Sequence, residues 1–331
     1  MKFKKCAALL LVSSCLLTGC TTSSAKKVDS KYVVASLEKG NKTKNIFADN
    51  LYKDIIDNSS NNSTVFNAVL QNLVDQKFPV NDDMKEDAAT IIKQIKSAYK
   101  SNYGDNYKDS LNQALTSAGY KNLSEYRQRM IKQIQYANFL LDYIDDHFDD
   151  IFNDYYQQCA PKYVSLIKIS VSDTSSPTDD ETSKLNEVKE LISNTNKSFG
   201  DIAQDYSDDS TSSKKGSLGI VDSKDTSGLA NSYGEDVFNA IEALSEGQVS
   251  DVITGDDGYY FVKVTSTDKK TLKKELKKTD IDSPLLAYDD YLQYVVYNSY
   301  KINYKDKDIK KIVQEVVNKA LEERKTERGE A

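Results

Sequence analysis

Histidine, tryptophan, cysteine and proline are scarce in this 331-residue sequence, which contains one His, no Trp, four Cys and four Pro. A single imidazole excludes sites that need several histidines, such as His-rich zinc centres. Basic residues are also in deficit, with 44 against 51 acidic ones, and the net charge of −7 argues against nucleic-acid binding. The 39% hydrophobic and 29% charged fractions exclude wholesale disorder. The length predicts about two domains.

The N-terminus has the pattern of a secretory leader. Three lysines lie within the first five residues and precede an apolar run of 12 residues that ends at Leu17. As a helix this run would span about 18 Å, which is too short for a hydrocarbon core of about 30 Å. The run is therefore typical of a signal peptide. It ends in Leu17-Thr18-Gly19-Cys20, which resembles the bacterial lipobox, and this resemblance implies that Cys20 is lipidated. An ordinary signal peptide with a chance cysteine is the alternative.

These features predict a signal peptide over residues 1–19, a tether over 20–30, and a mature chain on the extracellular face of the bacterial cytoplasmic membrane. Loss of the leader would change the net charge from −7 to −10 and leave Cys159 as the sole cysteine without lipid. A single thiol cannot form an internal disulfide. We favour a partly buried thiol over a nucleophile, because its only candidate base, His147, has no sequence link to it. We expect no cofactor and no metal; the acidic run around His147 indicates a solvated helix face.

In the mature chain, segments with helical periodicity flank a segment with mixed strand and helix patterns. Helical periodicity extends from Asn62 to about Asp150, preceded by a short predicted strand at 32–35. Beyond Cys159 the pattern predicts a strand at 163–171, helices around 185–192 and 199–206, extended chain at 216–221, a helix at 235–244 and a strand at 259–265. Such an order over about 105 residues is typical of a compact α+β unit.

The last part of the chain is again helical, with a candidate strand at 302–304 and a closing helix at 309–321. Its apolar stripes, and those of the first segment, need a partner to be buried. We therefore predict a helical domain of two parts, 31–158 and 269–323, with the α+β unit of 159–268 inserted between them and a charged tail at 324–331.

Four segments of the α+β unit resemble the parvulin-type peptidyl-prolyl isomerase family. In order they are residues 199–209 (FGDIAQDYSDD), 216–219 (GSLG), 243–251 (ALSEGQVSD) and 257–264 (DGYYFVKV). With the lipobox and the flanking helices, the architecture is similar to that of PrsA-type foldase lipoproteins and of the chaperone SurA. The resemblance implies an α+β fold, in which a small antiparallel sheet with surrounding helices is inserted into a mainly helical SurA-like chaperone domain.

The resemblance also implies the positions of site residues. The family's groove carries two histidines, and their positions correspond here to Leu166 and Tyr260, while its Asp/Cys position corresponds to Asp209. We take Asp209 and Tyr260 as candidate catalytic residues, although Asp209 is equally well explained as a loop carboxylate. The remaining candidates bind substrate through an apolar wall: Leu166, Val221, Tyr233, Val237 and Phe238.

Three functions stay open at this point. With both histidines replaced, we expect a membrane-anchored foldase or chaperone with weak or lost isomerase catalysis, binding unfolded or partly folded secreted proteins. An active prolyl isomerase is the first alternative. A structural or solute-binding surface lipoprotein is the second. The resemblance further suggests a homodimer formed through the helical region.

Overall fold

A computed structural model describes residues 27–39, 42–194, 196–276 and 281–330. The predicted signal peptide, Cys20 and most of the tether lie outside these residues. The described chain divides into two compact units, one formed by Val80–Asp290 and the other by residues 27–79 together with 291–330. No helix among the described residues has both the length and the apolar content needed to cross a bilayer.

In its described residues, 27–39, 42–79 and 291–330, this second unit contains a small sheet and four α-helices. Its strands β1, β2 and β3 pair antiparallel in that order, and its main helices α2 and α13 pack against each other. The elements are β1 (Lys27–Val28), β2 (Lys31–Lys39), β3 (Lys42–Phe47), α1 (Ala48–Ile56), α2 (Asn62–Lys77), α12 (Leu292–Ser299) and α13 (Lys307–Glu327). Phe66 of α2 is fully buried, stacked on Tyr294 and edge-on to Tyr297.

The other unit begins with four helices that follow one another closely. They are α3 (Asp82–Tyr103), α4 (Tyr107–Ser117), α5 (Leu123–Asp146) and α6 (Phe148–Cys159). The first three share a core that includes Ala88, Leu111 and Ile134. Asn81 and Asn122 cap α3 and α5 by accepting the backbone N–H groups of Met84 and Glu125, as expected for short polar side chains at a helix start.

A four-stranded antiparallel sheet forms the second part of this unit, with strand order β5-β4-β7-β6. Its strands are β4 (Lys162–Ser170), β5 (Ser217–Val221), β6 (Ile253–Gly255) and β7 (Gly258–Ser266), and its helices are α7 (Asp179–Asn194), α8 (Phe199–Tyr206), α9 (Leu229–Tyr233), α10 (Glu235–Ala243) and α11 (Lys269–Leu276). Helices α7 and α8 cover one face of the sheet, and α9 and α10 cover the other. The predicted α+β class is confirmed.

A buried carboxylate joins α6 to the segment after β5. Asp222 is only 1% exposed and accepts a hydrogen bond of 2.8 Å from the hydroxyl of Tyr155 in α6. It also accepts the Thr226 hydroxyl and the backbone N–H groups of Lys224 and Thr226. These donors compensate the desolvation of the carboxylate, which would otherwise oppose burial. Cys159, at the end of α6, is buried and forms no disulfide.

The structure differs from the predicted elements in several places. Residues 302–304 are not a strand; the hydroxyls of Tyr304 and Tyr297 are hydrogen-bonded at 2.5 Å, which holds this segment against α12. Residues 27–30, placed in the tether, form β1 and a turn in which Asp29 and Ser30 have positive φ. The predicted tail is helical as far as Glu327. The compact units divide at 79/80 and 290/291, and the domain boundaries predicted at 158/159 and 268/269 stay a prediction.

Candidate functional site

The two faces of β4 have different chemical roles. Side chains alternate along a strand, so Val164, Leu166 and Lys168 share the face toward α9 and α10, whereas Ile167 and Ile169 point to α7 and α8. Leu166 lies opposite Val262 of β7, and Lys168 lies opposite Tyr260. We call the surface near Lys168 and Tyr260 the groove; Asp209, Tyr233 and Phe238 complete it.

Three of the predicted apolar wall residues lie beneath the surface. Leu166 is completely buried, and Val221 and Val237 are each 1% exposed in the same cluster. The backbone at Leu166 is also enclosed, because its N–H donates to the carbonyl of Gly216 and a Cβ at residue 216 would lie 2.4 Å from the Leu166 carbonyl oxygen. Tyr233 and Phe238 are half-buried and therefore form the accessible part of the wall.

Tyr260 is held in place by its neighbours on the sheet. Its hydroxyl donates to Asp257, which is in the turn between β6 and β7. Gly255 leaves room for the ring, since a Cβ there would come within 2.7 Å of it. The ammonium group of Lys168 lies 5.4 Å from the ring centroid and forms an ion pair with the same Asp257. Tyr260 is 2% exposed, so its ring belongs to the buried cluster while its hydroxyl is oriented toward Asp257.

The loop after α8 places Asp209 beside this cluster. The Lys168 backbone N–H donates to the Ser207 hydroxyl, and its carbonyl accepts the Asp208 N–H, so the loop is bonded to β4 at Lys168. The Asp209 carboxylate accepts the Thr211 N–H at 2.8 Å and the Tyr233 hydroxyl at 3.3 Å from both oxygens. Tyr233 in turn meets Tyr260 edge-on, with ring centroids 6.2 Å apart.

The neighbouring acids have other partners. Asp205 forms an ion pair with Lys197, and Asp208 forms one with Lys184 while accepting the Ser170 N–H. Among the acids of this loop, Asp209 is thus the one joined to the groove tyrosines in the described contacts. Both tyrosines keep their protons at neutral pH: burial raises the pKa of Tyr233, reinforced by the charge of Asp209, and burial raises the pKa of Tyr260, reinforced by its hydrogen bond to Asp257.

Comparison with known proteins places this unit in a family. Residues 166–266 match the rotamase family described as the PPIC-type PPIase domain. This chain contains a parvulin-type domain. It is also related to PrsA foldases, being 35% identical over 136 residues to Foldase protein PrsA of Staphylococcus epidermidis and 32% identical over 141 residues to that of Staphylococcus aureus. The predicted parvulin-type domain is confirmed within residues 166–266.

The extent of these matches is limited. The Staphylococcus epidermidis match covers 39% of this chain and 39% of the relative, and the Staphylococcus aureus match covers 40% and 41%. The PrsA structure from Streptococcus pneumoniae is 20% identical and aligns with 85% of this chain and 99% of its own chain, with a TM-score of 0.40. The PrsA structure from Bacillus subtilis is 22% identical and aligns with 85% of this chain and 98% of its own, also with a TM-score of 0.40. The chain thus spans about two fifths of the length of the sequence relatives it matches.

The parvulin-type domain brings together both predicted catalytic candidates, through Tyr233. Sequence reasoning missed Lys168 and Asp257, which are 89 residues apart in the sequence and both contact Tyr260. The signal available was alternation: Lys168 is two residues from Leu166 and so shares its face. His147 lies elsewhere, stacked on Tyr143 at 4.0 Å with its Nδ1 2.9 Å from the Tyr143 carbonyl oxygen.

The groove supplies directed O–H donors, one lysine cation and two carboxylates. Such groups act by favouring one geometry of a bound peptide over another. No three His, Cys, Asp or Glu side chains in the described ranges are grouped as metal ligands would be.

Proposed function

We propose that this chain is a folding factor anchored outside the cytoplasm, in which the parvulin-type domain binds prolyl segments of unfolded secreted proteins with weak or no isomerase catalysis. The observation that carries this proposal is the groove itself. It keeps a Tyr233–Tyr260 aromatic wall beside Asp209, but Leu166 is sealed in the core. Membrane attachment would come from lipid on Cys20, which residue type and position support.

The chemistry explains why binding and catalysis can separate. Rotation about a prolyl bond faces a barrier of about 18–20 kcal/mol set by amide resonance, and no covalent step or cofactor is required. Binding needs only an apolar wall that receives the ring, which Tyr233 and Phe238 provide. Catalysis requires groups that interact more strongly with the twisted bond than with the planar one. The tyrosine hydroxyls of the groove are already engaged by Asp209 and Asp257.

One observation favours the alternative of an active isomerase. Asp209, Tyr233 and Tyr260 form a connected cluster at the groove, so a polar network exists where the resemblance expects one. In that case the Tyr260 hydroxyl or the Asp209 carboxylate would contact the reacting bond. Replacing either group would then lower the rate without preventing client binding.

A refolding assay separates these functions. The chain from residue 21 onward is added to a client whose refolding is limited by proline isomerisation, and in parallel to an unfolded client that aggregates. We expect aggregation to be suppressed, and the refolding rate to equal that with the Asp209→Asn and Tyr260→Phe variants. Acceleration lost in both variants would replace our proposal by the active isomerase. No effect in either assay would indicate a structural or solute-binding lipoprotein instead.

The anchor requires its own test. Cys20→Ala should release the protein from membranes of a producing bacterium while leaving the folded chain and its aggregation suppression intact. Retention of the Cys20→Ala protein in the membrane fraction would contradict lipid attachment at this residue.

A further inference from the structure

A lysine cation, Lys168, lies within the groove beside the Tyr260 ring. The Lys168 side chain is 14% exposed, although lysine is rarely buried without a partner. It starts from the middle of the sheet, with its backbone N–H and C=O fixed by the loop after α8. Its ammonium group is therefore held by a rigid strand close to the Tyr260 ring.

The partner of this cation comes from the rim of the groove. Asp257 is 67% exposed and belongs to the turn between Gly255 and Gly258. Its carboxylate accepts from both Lys168 and the Tyr260 hydroxyl. The two donors thus belong to β4 and β7, whereas the acceptor belongs to an exposed turn. This arrangement is a carboxylate site built from strand residues and filled by the protein's own turn.

We propose that Lys168 and the Tyr260 hydroxyl form a carboxylate subsite that binds an Asp or Glu side chain next to the proline of a client, and that Asp257 occupies this subsite in the empty groove. The proposal rests on the proposed function, because it requires the groove to bind prolyl segments. The adjoining wall of Tyr233 and Phe238 would receive the proline ring.

Charge pairing explains the preference expected. A partly buried ammonium group must keep a partner, since an unpaired charge in this position is costly. A client carboxylate can replace Asp257 and leave Lys168 paired, whereas an uncharged glutamine side chain cannot and a lysine side chain is repelled. Charge-assisted hydrogen bonds are about twice as strong as neutral ones. The subsite would accept a side-chain or a C-terminal carboxylate by the same chemistry.

The test measures peptide binding by fluorescence anisotropy. Labelled peptides with blocked ends differ only in the residue before proline, which is Glu, Gln or Lys; a further Gln peptide has a free C-terminus directly after the proline. For the unmodified protein we expect the Glu peptide to bind about fivefold more tightly than the Gln peptide. Asp257→Asn removes the internal competitor and should raise this ratio by about another fivefold. The free C-terminus peptide reports whether a terminal carboxylate is accepted as well.

Matched variants separate the subsite from general charge. Lys168→Met should reduce the Glu-to-Gln ratio to about one, since methionine preserves the stem but lacks the charge. Lys168→Arg should retain the preference. Lys197→Met removes the same charge from the ion pair with Asp205 and should leave the ratio unchanged. Circular dichroism verifies that each variant is folded.

Two results would overturn the proposal. If Gln and Glu peptides bind equally to the unmodified protein and to Asp257→Asn, the carboxylate subsite is refuted while client binding by the groove stands. If none of the peptides binds, both the subsite and the groove's role in the proposed function are refuted.

Discussion

Replacing Leu166 by histidine would restore the residue type that parvulin resemblance implies on the first strand, but the structure predicts loss of stability instead of gain of activity. The Leu166 side chain is fully buried among Val164, Val262 and Val237. An imidazole there would have apolar neighbours in place of hydrogen-bond partners. The native backbone around it is closed by Gly216, which leaves no space for the strand to shift.

The magnitude follows from two contributions. Burial of a leucine side chain is worth about 1.5–3 kcal/mol, much of which a polar ring forfeits. A buried donor or acceptor without a partner costs about 1–3 kcal/mol more. We therefore expect Leu166→His to lower the free energy of unfolding by about 3–5 kcal/mol, a large part of the roughly 5–15 kcal/mol typical of whole proteins. Leu166→Met, which conserves volume, should cost less than about 1.5 kcal/mol.

Urea denaturation followed by far-ultraviolet circular dichroism measures these changes, because the midpoint and slope give the free energy of unfolding. Isomerase activity is measured on the same samples below the transition. The reasoning fails if Leu166→His is as stable as Leu166→Met, or if it accelerates proline-limited refolding. Either result would mean that residue 166 reaches the groove surface.

Two further predictions concern the same unit. Asp222→Ala should lower the free energy of unfolding by about 3–5 kcal/mol, because the buried Tyr155 hydroxyl and the half-buried Thr226 lose their acceptor. Tyr155→Phe should cost about 1.5–3 kcal/mol, because one charge-assisted hydrogen bond is lost. Equal losses for the two variants in urea denaturation would contradict this reasoning. Burial is the main cause that raises the pKa values of Tyr155, Tyr233 and Tyr260. Their contribution to the stability of the folded state is therefore complete below the unfolded tyrosine pKa of about 10, and it is lost as pH rises through the folded-state pKa values. Ultraviolet titration of tyrosinate should show these groups ionising only as the protein unfolds, and ordinary titration of all 22 tyrosines before unfolding would oppose this reasoning.

Local periodicity was sufficient to predict most elements. The helix predicted at 199–206 is α8, and the strands predicted at 163–171 and 259–265 differ from β4 and β7 by one residue at each end. These segments have a strong hydrophobic pattern and contain their own start and stop signals. An example is the N-cap Ser198, whose side chain accepts the Asp201 N–H at the start of α8. The candidate strand at 302–304 failed because a tyrosine pair across seven residues determines that segment.

In the first sheet the strand predicted at 32–35 lies within β2, but β1 and β3 were missed, for a different reason. Its strands β1 and β2 are joined by a turn that needs positive φ at Asp29 and Ser30. Aspartate tolerates this conformation, but serine gives only a weak signal for it compared with glycine or asparagine. The composition there is polar and short, so a tether was the simpler interpretation of residues 20–30.

The groove's charges depend on strand register, which no local pattern contains. Lys168 meets Tyr260 because β4 and β7 pair in one particular register, and a slip of one residue would move Lys168 to the opposite face. The same pairing buries Leu166 opposite Val262 and brings the turn residue Asp257 over the cation. The two positions expected to hold histidines are therefore both buried but have different partners: Leu166 has apolar neighbours, whereas Tyr260 also contacts Lys168 and Asp257.

This difference predicts how the groove responds to pH. A groove with histidines changes charge near neutrality, because their ordinary pKa is about 6.5. Here the groove tyrosines stay protonated well above neutrality, since burial raises the pKa of both. Their hydroxyls thus continue to donate to Asp209 and Asp257 across the neutral range. A binding surface with fixed donors suits a folding factor that holds its clients, because its affinity does not depend on a titrating imidazole.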